Sequence, residues 1–167
     1  MQIEKYPLPV VCIIAVRNDK RGAPEIQIQS RTKKRKDDPY YGIWELPQGK
    51  MRHGESVRDS VRRELLEETG LEIEALESIH NDQILQVKKS SINTFDPIGL
   101  TVDLRFNHIG FGVAIRVKGT PKETSHASKH QWMGQKEIEN LIESDDLFPL
   151  NVGIIQRFFQ LNTLQPF

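Results

Sequence analysis

The stretch from Ser56 to Thr69 constrains the chain more than any other, because it reads as a helix with acid where apolar side chains belong. Ser56 is a suitable N-cap, and Gly70 is a suitable stop just past the last turn. At about 100° per residue with Glu64 at zero, Val57, Val61 and Leu65 fall near about +20°, +60° and +100°. They define a core-facing stripe. On the same wheel Glu68 falls near about +40°, inside the stripe, and Glu67 near about −60°, beside it. Two carboxylates thus lie on the buried side, with a third adjoining.

Clustered carboxylates repel one another and are costly to desolvate without a positive neighbour. Two neutralisers fit. One is a salt-bridge network with Arg62 and Arg63 on a solvated helix end. The other is a hard divalent cation, Mg2+ with Mn2+ able to replace it, which suits three carboxylates at i, i+3 and i+4. No histidine or cysteine joins the group, so zinc does not fit. Spacing alone leaves both readings open.

The surroundings set the scale of the fold. The 167 residues suit a single domain over 1–167, long enough to bury a core. Val10 to Val16 forms a β-branched strand, and Asn18 to Gly22 reads as a turn. Ile26 to Arg31 alternates as a half-buried strand, and the two pair as a hairpin. A charged loop covers residues 32–39. After Gly42 to Leu46 the chain turns at Pro47-Gln48-Gly49. Further strands are expected over Gln83–Lys88, Thr101–Phe106, His108–Lys118 and around Trp132, and helices over Gln135–Ile142 and Asn151–Leu161. Hairpins with a few helices predict an α+β layered domain.

Charge narrows the partners: Lys plus Arg and Asp plus Glu number 23 each, so no global field selects DNA or a membrane surface. No apolar run approaches the roughly 20 residues of a membrane helix. The N-terminus lacks the apolar core of a signal peptide, so the cytoplasm is the expected compartment. Cys12, the single cysteine, reads as a buried thiol and excludes a disulfide framework.

From Gly49 to Leu71 the chain resembles the Nudix box, G-x5-E-x7-R-E-U-x-E-E-x-G-U with U apolar. All nine fixed positions are met, by Gly49, Glu55, Arg63, Glu64, Leu65, Glu67, Glu68, Gly70 and Leu71. The resemblance implies a Nudix fold, a mixed β-sheet sandwiched between α-helices. It implies Mg2+-dependent hydrolysis of a phosphoanhydride in a nucleoside diphosphate linked to another group. That substrate is a nucleoside triphosphate, a dinucleoside polyphosphate or a nucleotide sugar. Glu64, Glu67 and Glu68 would hold the metal with the backbone carbonyl of Gln48. Arg63 would orient the carboxylates by reaching Glu55 or Glu67, and Gly49 and Gly70 would shape the loop ends.

Two residues compete as general base: Glu64 in the box, and Glu123 in the Lys118–Lys129 loop. Ser125 stands where relatives often carry a glutamate. Arg31 and Lys33 are candidates to bind the polyphosphate, the latter in a basic run that also reads as a solvated loop. Tyr41 and Trp44 are candidates to stack on a base, although Trp44 also suits core packing. The stretch Trp44 to Gly49 resembles the approach to the box in some dinucleoside polyphosphate and RNA 5′-pyrophosphohydrolases, so a capped RNA 5′ end stays open as a substrate. The alternative function is a nucleotide-binding sensor without turnover. Monomer and homodimer are both open.

Overall fold

The computed structural model describes residues 7–32, 38–74, 83–88, 90–105, 107–125 and 127–164. It is organised around β1 (Leu8–Asn18), whose residues from Val10 to Val16 are all buried. A strand with helices on both faces reads as a continuous apolar run rather than an alternating one. Val11, Ile13 and Ala15 join Val57, Val61 and Leu65 of the box helix in one core. Val10, Cys12, Ile14 and Val16 join a second core with Ile138, Ile154, Ile155 and Phe158. One strand therefore serves two hydrophobic layers.

On one side β1 forms the expected hairpin with β2 (Pro24–Arg31), in register from Val16↔Ile26 to Asn18↔Pro24. Beyond that point the two strands diverge. The gap is filled by two short strands, β3 (Trp44–Glu45) on β2 and β4 (Gln48–Lys50) on β1. The segment expected to turn at Pro47–Gly49 is thus a wedge between the splayed strands, with Ile13 N–H donating to the Pro47 carbonyl at 2.8 Å. The helix α1 (Val57–Thr69) follows. Ser56 Oγ accepts from Asp59 N at 3.2 Å, and Gly70 ends the helix at φ 69°, so both expected caps are present.

After α1 come β5 (Glu72–Ile73), an outlying hairpin of β6 (Gln83–Val87) and β7 (Ser90–Thr94), and β8 (Leu100–Asp103). The strand β9 (His108–Lys118) pairs with β1 in parallel along nine residues and carries β5 and β8 on its other side. The strand β10 (Ala127–Met133) closes the far edge against β2, giving the order β10-β2-β1-β9-β5. Helices α2 (Gln135–Glu143) and α3 (Pro149–Leu164) cover the face opposite α1. Gly110 and Gly112 let α3 lie close, because a Cβ on either would run into Leu150 or Ile154.

Three expectations need correction. The strand expected over Thr101–Phe106 ends at Asp103, and Phe106 lies outside the described residues. The strand β7 was not anticipated. Most consequentially, β2 is not half-buried: Gln27 and Gln29 are as fully covered as Ile26 and Ile28, with Gln29 bonded to Glu68 of α1 and Gln27 beside His130 of the neighbouring β10. Among the described residues no helix is long and apolar enough to cross a membrane.

Candidate active site

Arg63 gathers the box carboxylates. Its Nε and one terminal nitrogen grip Glu55 in a fork, each at 2.7 Å. The other terminal nitrogen pairs with Glu64 and lies 3.6 Å from Glu67. The sequence allowed Glu55 or Glu67 as the partner, and the structure gives Arg63 both. A bidentate fork is among the stronger ion pairs, and it acts in both directions. The hydrogen bond from Arg63 holds the Glu55 carboxyl below its usual range, while Glu55 and then Glu64 push the Arg63 guanidinium up. Arg52 adds a backbone N–H to Glu55 at 2.9 Å and an ion pair to Glu67 at 3.3 Å.

Glu68 takes a different partner. It is fully buried, and its Oε2 accepts from Gln29 Nε2 at 2.7 Å and from Gln48 N–H at 3.0 Å. The i+4 spacing that set it on the apolar stripe thus delivers it to the seam between β2 and β4. Glu64 is buried one turn earlier and lies against Gly49, where a Cβ would fall within the carboxylate itself. Glu67 points to the solvent side, with 38% of its side chain exposed.

The donors at this seam are carboxylates and main-chain oxygen, and Gly49 leaves room for a carboxylate against the backbone. That set fits a hard divalent ion. Among the described residues no three acidic, histidine or cysteine side chains already converge on one point.

Gln48 is held from behind. Its Oε1 accepts from Asn151 Nδ2 at 2.7 Å, and its Nε2 donates to Glu45 at 3.1 Å. Asn151 Oδ1 accepts from Leu46 N–H at 3.0 Å, so one α3 side chain clamps both ends of residues 46–48. Glu45 is buried and also receives Arg31 at 2.8 Å. Cys12 is buried as expected, its Sγ 3.5 Å from Gln48 Oε1, and burial pushes its thiol pKa up. Gln29, Glu45 and Asn151 escaped sequence reasoning. The only signal was polarity at positions that helices on both sheet faces would cover.

The remaining expected residues lie apart from the carboxylates. Arg31 forms ion pairs with Glu45 and Asp38 and stacks over Phe148, 5.2 Å from its centroid. These acids raise its pKa despite burial, which acts the other way. Trp44 packs against the α3-side core. Tyr41 is 54% exposed in the turn before β3. Glu123 is exposed in a segment docked on the end of α1, where Lys122 N–H donates to Thr69 O and Thr124 Oγ1 to Glu68 O. Lys33 and its basic run lie outside the described residues.

A mixed sheet between helices, with a glutamate-rich helix against a glycine loop at a strand seam, defines the class of domain. The sequence matches the NUDIX domain over residues 7–153, and the chain belongs to that family. It is 38% identical over 103 residues to the uncharacterized Nudix hydrolase YvcI of Bacillus subtilis strain 168; the match covers 62% of this chain and 58% of that protein. The fold is similar to a NUDIX hydrolase from Nitrosomonas europaea, with TM-score 0.69 and 15% identity, covering 98% of this chain and 76% of the other. It is also similar to a bifunctional NMN adenylyltransferase/ADP ribose pyrophosphatase from Francisella tularensis complexed with AMP and a Mn ion. There the TM-score is 0.62 at 15% identity, covering 98% of this chain and 43% of the other.

Proposed function

We propose that this chain hydrolyses a phosphoanhydride bond in a nucleoside diphosphate linked to a second group, with a divalent cation as cofactor. One observation carries the reading: Arg63 and the Gln48 peptide hold four box glutamates at one strand seam. Glu64, Glu67, Glu68 and the Gln48 carbonyl would hold Mg2+, or Mn2+ in its place. When bound, the ion offsets phosphate charge and lowers the pKa of a water. The protein's own part is arrangement. Arg63 keeps Glu55 ionised and holds Glu55, Glu64 and Glu67 in place, and Gln29 with Gln48 N–H fixes one oxygen of Glu68. Glu64 is the base we favour, because it lies within the cluster, whereas Glu123 is exposed.

Incubation with a panel of nucleotides and Mg2+, following phosphate and nucleotide release, tests this reading. Turnover by wild type and a loss of about 100-fold or more in Glu68→Gln are expected. Tight binding without turnover of any nucleotide would make the domain a sensor. Full activity in Glu68→Gln would overturn the metal assignment.

A further inference from the structure

Behind the carboxylate seam, on the side of α3, a set of buried polar side chains converges on Gln48. Gln48 lies in β4, and in a strand the N–H and C=O of one residue face the same side. The N–H donates to Glu68 Oε2 at 3.0 Å, so the carbonyl faces the seam as well. Both groups turn with that one residue. The strand β4 is only three residues long, so its ladder with β1 gives the peptide a short hold. Residue 47 is a proline and adds no N–H to that ladder.

The Gln48 side chain supplies the rest of the hold, because each of its polar atoms has a fixed partner. Its Nε2 donates to Glu45 Oε2 at 3.1 Å, and its Oε1 accepts from Asn151 Nδ2 at 2.7 Å. Asn151 Oδ1 accepts from the Leu46 N–H, a donor only, so Asn151 Nδ2 must face Gln48. A reversed Gln48 amide would set Nε2 against that Nδ2 and Oε1 against the Glu45 carboxylate. Both contacts would be repulsive, so the amide has one orientation. Glu45 Oε2 takes Arg31 as well, at 2.8 Å, and the acid is only 1% exposed. A buried ion pair contributes little net stability to a fold. Direction, rather than strength, accounts for placing an acid and two amides here.

We propose that Asn151, with Glu45 opposite it, is a positioning residue for the divalent cation. By locking the Gln48 side chain, the pair aims the Gln48 peptide at the seam beside Glu68, and through that peptide it sets the affinity of the site for the ion. The inference rests on the proposed cation site for the ion's donors, but not on turnover. Groups that orient a metal donor from behind typically account for about 10–100-fold in metal affinity.

The test is Mn2+ binding to the full chain by calorimetry, with steady-state kinetics on the nucleotide panel at saturating Mg2+. Asn151→Asp keeps the shape and the acceptor for Leu46 N–H, but sets an oxygen against Gln48 Oε1. Gln48→Met keeps the peptide and the side-chain length, but removes the amide on which Asn151 and Glu45 act. Ile154→Val trims the packing of the same helix in its apolar core and serves as the control for loosening. We expect Asn151→Asp and Gln48→Met each to raise the Mn2+ Kd about tenfold or more, and Ile154→Val to leave it unchanged. The nucleotide KM at saturating metal should hold in all three. The double variant Gln48→Met/Asn151→Asp should bind no more weakly than the worse single one, because both changes act through one contact. Should Asn151→Asp fail to fold, Gln48→Met against Ile154→Val decides alone. An unchanged Kd in Gln48→Met, additive losses in the double variant, an equal loss in Ile154→Val or a raised KM would overturn the proposal. No Mn2+ binding by wild type would overturn it together with the metal assignment. The expected pattern of Mn2+ binding without turnover of any nucleotide would overturn the hydrolase reading and leave the positioning role standing.

Discussion

Replacing Gly49 by alanine would set a methyl group where the Glu64 carboxylate now lies. The requirement is for space and not for backbone freedom, since Gly49 is not among the glycines at positive φ. Gly49→Ala should lower kcat about 100-fold or more while leaving most of the melting temperature intact; matched kinetics and calorimetry would check this. The Arg63 fork makes a second residue-scale prediction. Because Arg63 depresses the Glu55 pKa, the stability from this pair is present above the ordinary carboxylate value of about 4.3. It is lost as pH falls through the lower folded value. In Arg63→Met, carboxyl resonances in a pH titration should show Glu55 returning to the ordinary range. No upward shift would mean that the fork does not control Glu55.

Among the elements, α3 has a role in the site that its position behind the sheet conceals. Asn151 in its first turn holds Leu46 N–H and Gln48 Oε1, both buried. Asn151→Leu would strip both partners and should cost about 2–4 kcal/mol in denaturant unfolding. A cost under about 0.5 kcal/mol would show that the clamp is not needed. The same element scale shows what was legible. The helix α1 could be read to its caps, because Ser56, Gly70 and the apolar stripe are local signals. So could β9, whose bounds match the expected His108–Lys118. The wedge of β3 and β4 could not, because strands of two and three residues exist only where β1 and β2 part, which is a tertiary event. Gln27 and Gln29 misled for a related reason. Polar alternation signals solvent only when nothing covers that face, and here α1 brings Glu68 onto Gln29.

For the whole molecule, the carboxylate seam joins β2, β4 and α1, so anything that binds it should tie the fold together. Excess Mn2+ or Mg2+ should raise the melting temperature, by about 2.7 kcal/mol of stability at a hundred times Kd. The gain should vanish in Glu64→Gln and Glu68→Gln. A rise that persists in both variants would place the ion elsewhere. The match to the NUDIX domain runs from 7 to 153, so it takes in the whole sheet, α1 and α2 and ends inside α3 (Pro149–Leu164). Within that span the box is one continuous motif, while Gln29, Glu45 and Asn151, which hold Glu68 and Gln48, are scattered over β2, β3 and α3 without one.

The hairpin that opens to admit the wedge is closed at its other end by the turn around Asp19, whose Oδ1 accepts from Arg21 N and Ala23 N at 2.8 Å each. About six residues of β1, roughly 20 Å, separate that turn from the Gln48 pairing at Cys12. The closed end is thus a place to graft a tag, a fluorophore or a fused partner without disturbing the open end.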